Sequence, residues 1–247
     1  MPASLRPRRI ALVDLARSAA LLGMAIFHFT FDLELFGHLP PGTTAWPGFW
    51  AVFARVVAGS FIFLAGVSLY LAHGGGIRWR DFLLRLARIV GAAALVSLAT
   101  YMALPEQYVF FGILHAIAAF SVLGLLFIRL PPLLLVAVAG LIYAGRTLFT
   151  APLFAEPWLV WTGLSPFPPL TMDFEPLFPW FGTFLLGIAL ASAAARTGLA
   201  DRLRAWPARP GKWTYRLSWP GRHSLVIYLV HQPILLALVG GLTWAFG

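Results

Sequence analysis

Residues 14–32 read DLARSAALLGMAIFHFTFD, an apolar stretch that carries the ionisable side chains Asp14, Arg17, His28 and Asp32. At 3.6 residues per turn, these four positions fall near one face of a helix. The stretch is apolar enough to cross a bilayer, where each charged side chain costs at least roughly 2.5 kcal/mol on insertion scales. We therefore predict that these four side chains, the polar stripe of the helix, have a functional role.

The composition indicates an integral membrane protein. Hydrophobic residues make up 60% of the 247 residues and charged residues only 11%, which is far more apolar than a typical soluble domain. The chain has no cysteine, so disulfides, thiolate metal sites and cysteine nucleophiles are excluded. The net charge of +9 admits a nucleic-acid partner, but the placement of the charges argues against one.

We predict an all-α, polytopic helical bundle that forms a single transmembrane domain over residues 1–247. About 20 apolar residues are needed per crossing. Seven segments meet this requirement, at about 10–33, 48–72, 84–104, 107–128, 131–149, 177–196 and 224–246. The stretch 150–176 is rich in Pro and Trp, and a short helix in it would make eight.

The basic residues predict the orientation of the bundle. All of the 18 lysines and arginines except Arg17, Arg55 and Arg146 lie on one side of a seven-span protein. They are Arg6, Arg8, Arg9, Arg78, Arg80, Arg85, Arg88, Arg129, Arg196, Arg202, Arg204, Arg209, Lys212, Arg216 and Arg222. This positive-inside pattern predicts a cytoplasmic N-terminus and an external C-terminus. The basic face would meet anionic lipid or an anionic cytoplasmic ligand, with nucleic acid a poor third choice.

On the first helix, His28 and Asp32 are spaced i, i+4, so their side chains can meet. A carboxylate beside an imidazole fixes its tautomer and makes it a better base. Asp14 and Arg17 form an i, i+3 pair about 16 Å from His28 along the helix. A structural role is the alternative, with Arg17 reaching the interface and His28 packed against another helix.

Three further helices carry polar groups within apolar sequence. Arg55 on the second helix is predicted to pair with Asp32 or Glu34, or to hold a substrate anion. His115 lies on the fourth helix. On the last helix, Ser224, Tyr228 and His231 share a face, and Pro233 leaves a backbone carbonyl of the preceding turn without its usual donor. With His28, the first, fourth and last predicted helices each carry one inward histidine, which predicts a polar core.

Five short motifs occur in the same order as in a known family. They are RIALVDLAR (9–17), FIFLAG (61–66), GILH (112–115), FPWF (178–181) with Gly187, and SLVIYLVH (224–231). The chain resembles the membrane acyltransferases named for the catalytic region of heparan-α-glucosaminide N-acetyltransferase. The spacing of Arg17 and His28 is also similar to the signature pair in the first helix of the membrane O-acyltransferases that decorate bacterial polysaccharides.

The resemblance implies transfer of an acetyl or other acyl group from cytosolic acyl-CoA to an amine or hydroxyl, in the family an amino sugar beyond the membrane. It places the family's catalytic histidine, in the loop after the first helix, at or next to His38, and the lysosomal enzyme has Asn where this chain has His28. Both histidines are therefore candidates for the base. We also expect a bacterial cytoplasmic-membrane location, and a homodimer is left open.

If the reaction is acyl transfer, each of the remaining polar residues has an expected role. Arg17 with Asp14, Arg85 and Arg88 are predicted to hold the CoA phosphates on the cytoplasmic face. Arg55, Tyr228 or His115 would stabilise the oxyanion of the tetrahedral intermediate, and His231 would contact the acceptor. No metal is predicted.

Two other classes remain open from the residues alone. A haem protein could use His28, His115 and His231 as axial ligands. A transporter would use the intramembrane charges as an ion path. A retinal protein is disfavoured because the sole lysine, Lys212, lies in a predicted connection.

Overall fold

A computed structural model describes residues 9–45, 47–206 and 211–246. Within these ranges the fold is all-α, as the sequence predicts. It has no strand there beyond one isolated bridge between Phe111 and Phe174. The helices are α1 Ala11–Leu35, α2 Phe49–His73, α3 Trp79–Ala103, α4 Ile113–Phe127, α5 Pro132–Leu148, α6 Leu177–Arg196, α7 Leu199–Ala205, α8 Lys212–Arg222 and α9 Ser224–Phe246. Arg6, Arg8 and Arg209 of the predicted basic side lie outside the described residues.

Five helices are long and apolar enough to cross a membrane: α1, α2, α3, α6 and α9. The fourth and fifth predicted spans are shorter, with 15 residues in α4 and 17 in α5. At 1.5 Å per residue they reach about 22 and 26 Å, against about 30 Å of hydrocarbon. The fold is that of a multi-pass membrane protein, and the count of seven crossings stays a prediction.

The connections differ from the prediction in two places. Residues 150–176 contain only the short 3-10 helices Pro152–Ala155 and Val160–Thr162, so the eighth helix that the sequence left open does not form there. Conversely, the predicted basic connection after α6 contains α7 and α8. Lys and Arg interrupt the apolar pattern of α8, so the sequence does not predict it as a membrane-spanning helix.

The chain forms two compact units, residues 1–57 with 193–247 and residues 58–192. In the first unit, α1 packs against α8 and α9. Small residues make these approaches close: a Cβ on Gly221 of α8 would collide with the Asp14 carbonyl, and one on Gly240 of α9 would lie 2.8 Å from the Phe36 ring. The prediction of one domain over residues 1–247 stays a prediction.

Helices α1 and α9 run in the same direction. Residues 28, 32 and 38 contact residues 231, 232 and 243 in that order. If both helices cross the membrane, the two ends of the chain lie on opposite sides and the number of crossings is odd. This parity agrees with seven spans and disagrees with eight.

The second unit has a core of close helix contacts and aromatic rings. A Cβ on Gly66 of α2 would collide with the Phe184 carbonyl of α6, and one on Gly187 would collide with the Phe63 carbonyl. Glycine at both positions lets the two backbones touch. Phe120 and Phe184 are fully buried beside them.

Candidate functional site

Two histidines from α1 and α9 meet in the first unit. Nδ1 of His28 lies 3.0 Å from Nε2 of His231, and the ring centroids are 4.8 Å apart. Nδ1 of His231 lies 2.5 Å from the Tyr228 carbonyl oxygen. Both imidazoles are half-buried. His28 and His231, both predicted as site residues, therefore form one hydrogen-bonded pair.

The hydrogen bonds assign the tautomers of this pair. A carbonyl oxygen can only accept, so Nδ1 of His231 carries the proton that it donates to Tyr228. Neutral imidazole has one N–H, so Nε2 of His231 is an acceptor and His28 donates to it from Nδ1. Nε2 of His28 is left with its lone pair, which is the arrangement that a general base needs.

Asp32 pairs with α9 and not with His28. Its Oδ1 accepts a hydrogen bond of 2.8 Å from Nε2 of Gln232, and its side chain has no exposed surface. The expectation that Asp32 orients the His28 imidazole is wrong for this structure, because neither carboxylate oxygen of Asp32 bonds His28. Oδ2 of Asp32 and Oε1 of Gln232 are buried with no hydrogen-bond partner.

His38 lies in the loop after α1 and contacts the far end of α9. Its Nε2 lies 2.6 Å from the hydroxyl of Thr243 in an exposed position. Glu34, which the sequence offered as a partner of Arg55, accepts from the Gly42 and Thr44 amides at 2.5 and 2.8 Å. These bonds fold the loop back onto the end of α1.

A charged cluster joins the first turns of α1 to the end of α8. Arg17 Nη1 lies 3.5 Å from Asp14 Oδ1, as the i, i+3 spacing predicts, and Arg222 Nε lies 3.8 Å from Asp14 Oδ2. The Gly221 amide donates to the Ser18 hydroxyl at 2.8 Å. Asp14 is buried and is shared between the guanidinium groups of Arg17 and Arg222.

The other predicted arginines lie on α2 and α3. Arg55 is exposed on the part of α2 that belongs to the first unit. Arg85 and Arg88 lie on α3 in the second unit, Arg85 half-buried and Arg88 exposed. The structure thus does not test whether they act together with Arg17.

His115 belongs to the second unit, where it holds the start of α4. Its Nδ1 accepts from the Gly112 amide at 3.3 Å, and its Nε2 lies 3.1 Å from the Ser97 hydroxyl. Ser97 in turn donates to the Val109 carbonyl at 2.6 Å. Both ring nitrogens are therefore used in the α3–α4 connection, which favours a capping role.

Asp173 reaches the same helix end from the loop before α6. Its Oδ2 accepts a hydrogen bond of 2.9 Å from the Ile113 amide, where a carboxylate suits the first turn of a helix. Burial raises the pKa of Asp173, and the hydrogen bond from Ile113 opposes that rise.

Several residues of these clusters escaped the sequence reasoning: Ser18, Arg222, Gln232 and Thr243. Of these, only Gln232 could have been identified from the sequence, because it is a polar residue beside His231 in an apolar helix. Among the described residues, no group of three or more His, Asp and Glu side chains could hold a metal ion.

One family model matches this chain. Its description is "Heparan-alpha-glucosaminide N-acetyltransferase, catalytic", and the match covers residues 9–233. No curated protein and no solved structure matches the chain. The matched range contains both the His28–His231 pair and the Asp14 cluster. With nearly its whole length covered, the chain belongs to the heparan-α-glucosaminide N-acetyltransferase catalytic family.

Proposed function

We propose that the protein is a membrane acyltransferase that moves an acetyl or other acyl group from acyl-CoA to an amine or hydroxyl of a sugar acceptor, with His28 as the general base. The observation that supports His28 as the base is the hydrogen-bond chain from His28 through His231 to the Tyr228 carbonyl. Family membership supports the reaction type. The donor and the acceptor are part of the proposal.

His28 Nε2 removes the proton from the acceptor amine or hydroxyl as that atom attacks the thioester carbonyl. The tetrahedral intermediate then collapses, the C–S bond breaks and the CoA thiolate leaves. As His28 gains a proton at Nε2, its Nδ1 proton can pass to Nε2 of His231. The pair then shares the positive charge, and a proton finally passes from the pair to the CoA thiolate, which leaves as the thiol.

The donor's phosphates suit the Asp14 cluster. Two guanidinium groups, of Arg17 and Arg222, lie beside Asp14 there, and guanidinium groups form charge-assisted hydrogen bonds with phosphates. That Arg85 and Arg88 on α3 contact phosphates stays a prediction from the sequence. The acceptor side is assigned to His38, Tyr228 and Arg55, of which His38 and Arg55 are exposed.

The His28–His231 contact also bears on the haem alternative. A haem sandwiched between two histidines needs a lone pair from each of the facing nitrogens. Here the facing nitrogens bond each other, so this pair does not present two axial ligands. No such geometric observation argues against the transporter alternative. The CoA-release assay distinguishes it from an acyltransferase.

The test is release of free CoA by the purified protein in detergent or lipid, with acetyl-CoA and a panel of amino sugars and neutral sugars. The acyltransferase proposal expects acceptor-dependent CoA release that His28→Ala abolishes. His223→Ala is the matched control, because His223 is an exposed histidine beside α8. Absence of both acyl-CoA binding and turnover in folded protein would favour a transporter.

A further inference from the structure

Asp32 lies in a setting that disfavours a negative charge. Its side chain is fully buried in a helix long and apolar enough to span the membrane. Within the described part of the chain, its polar contact is the neutral amide of Gln232. An ionised carboxylate buried without a cation is strongly destabilising, so the charged form has little to hold it there.

The two unpartnered atoms lie on the two residues that already share one hydrogen bond. Oδ2 of Asp32 and Oε1 of Gln232 are both acceptors as they stand, and two acceptors cannot satisfy each other. A buried polar group left without a partner destabilises the folded protein. A single proton on Oδ2 turns Asp32 into a donor on that side.

We infer that Gln232 is a positioning residue that holds Asp32 as a protonated carboxylic acid in a two-bond ring between α1 and α9. In this ring the Gln232 Nε2–H donates to Oδ1, and the Asp32 Oδ2–H donates to Gln232 Oε1. The pair is the planar acid–amide counterpart of a base pair. It ties α1 to α9 one helical turn beyond the His28–His231 contact.

This assignment fixes the charge of the site at rest. A neutral Asp32 does not raise the basicity of His28, so the base strength of the histidine pair comes from its own hydrogen bonds. The inference needs no acyl transfer and stands or falls separately from the proposed reaction.

Infrared spectroscopy of the protein in lipid vesicles at neutral pH tests it. With aspartate labelled by carbon-13 at its side-chain carbonyl, the difference between wild type and Asp32→Asn should contain a protonated-carboxyl C=O band. Asp81→Asn is the matched control, since Asp81 is exposed beside Arg78, and its difference should show carboxylate bands only. A carboxylate signal for Asp32 would overturn the inference and indicate a bridging water.

A second variant keeps Asp32 in place. Gln232→Leu removes the amide that donates to the Asp32 carbonyl, so the carboxyl C=O band should move to higher frequency. A structural role alone would lower the melting temperature without requiring this shift. An unshifted band would show that Gln232 does not hold the acid.

Discussion

Replacing His231 by Phe removes the acceptor of the His28 Nδ1 proton while keeping an aromatic ring of similar size. In the structure this deletes the 3.0 Å contact and leaves the half-buried Nδ1–H of His28 without that acceptor. The cost of such a group is about 1–3 kcal/mol, and 1.36 kcal/mol is tenfold in rate, so we expect kcat to fall by roughly 5- to 160-fold. His28→Ala should cost more, about 10²- to 10⁴-fold, as loss of a general base does.

The assay is CoA release at saturating donor and acceptor, with melting temperatures measured to separate activity from folding. The double variant should be no worse than His28→Ala alone, because His231 acts only through His28. His223→Phe serves as the control for a generic His→Phe change. The reasoning is refuted if His231→Phe is more damaging than His28→Ala, or if the two losses multiply in the double variant.

Four further outcomes are expected. His38→Ala should keep most of the CoA release that His28→Ala loses; the reverse result would make the loop histidine the base, as the family resemblance suggests. Arg17→Ala should raise the Kd for acyl-CoA several-fold or lower the melting temperature, and a variant that is normal in calorimetry and melting would show that Arg17 plays no part. Asp173→Asn should reduce a pH dependence of stability: burial raises the pKa of Asp173, so its contribution to stability is present below the ordinary value of 3.8 and is lost as the pH rises through the folded pKa. Thermal unfolding across acidic to neutral pH should therefore show the wild type losing stability relative to the variant, and parallel curves would contradict this. A reporter fused after Phe246 should signal from outside the cytoplasm, whereas a cytoplasmic signal would contradict the combination of a cytoplasmic N-terminus and an odd number of crossings.

The apolar segments could be read from the sequence because burial in lipid imposes a length and a composition on each helix. The bounds of α1, α2, α3, α6 and α9 fall close to the predicted spans. The prediction was less accurate for α4, which begins at Ile113 and not near 107. Residues 105–107 form a 3-10 helix there, which shortens the apolar run.

The charged stripe of α1 was predicted from helical periodicity alone, and its ends do meet other helices. The Asp14–Arg17 bond follows from i, i+3 spacing. Spacing also permitted a bond between His28 and Asp32, but each finds its partner on α9 instead. Periodicity states which side chains share a face, and it does not state which neighbouring helix that face receives.

The sequence by itself determined the helical membrane class, the polar stripe, the candidate histidines and the family resemblance, since each rests on local composition and spacing. Only the tertiary structure decided that His28 bonds His231, 203 residues away, and that Asp32 bonds Gln232. Those pairings depend on the parallel course of α1 and α9 and on the rotation of α9 about its axis. Both are set by close contacts at small residues such as Gly240, whose effect depends on what packs against them and is not encoded in any local pattern.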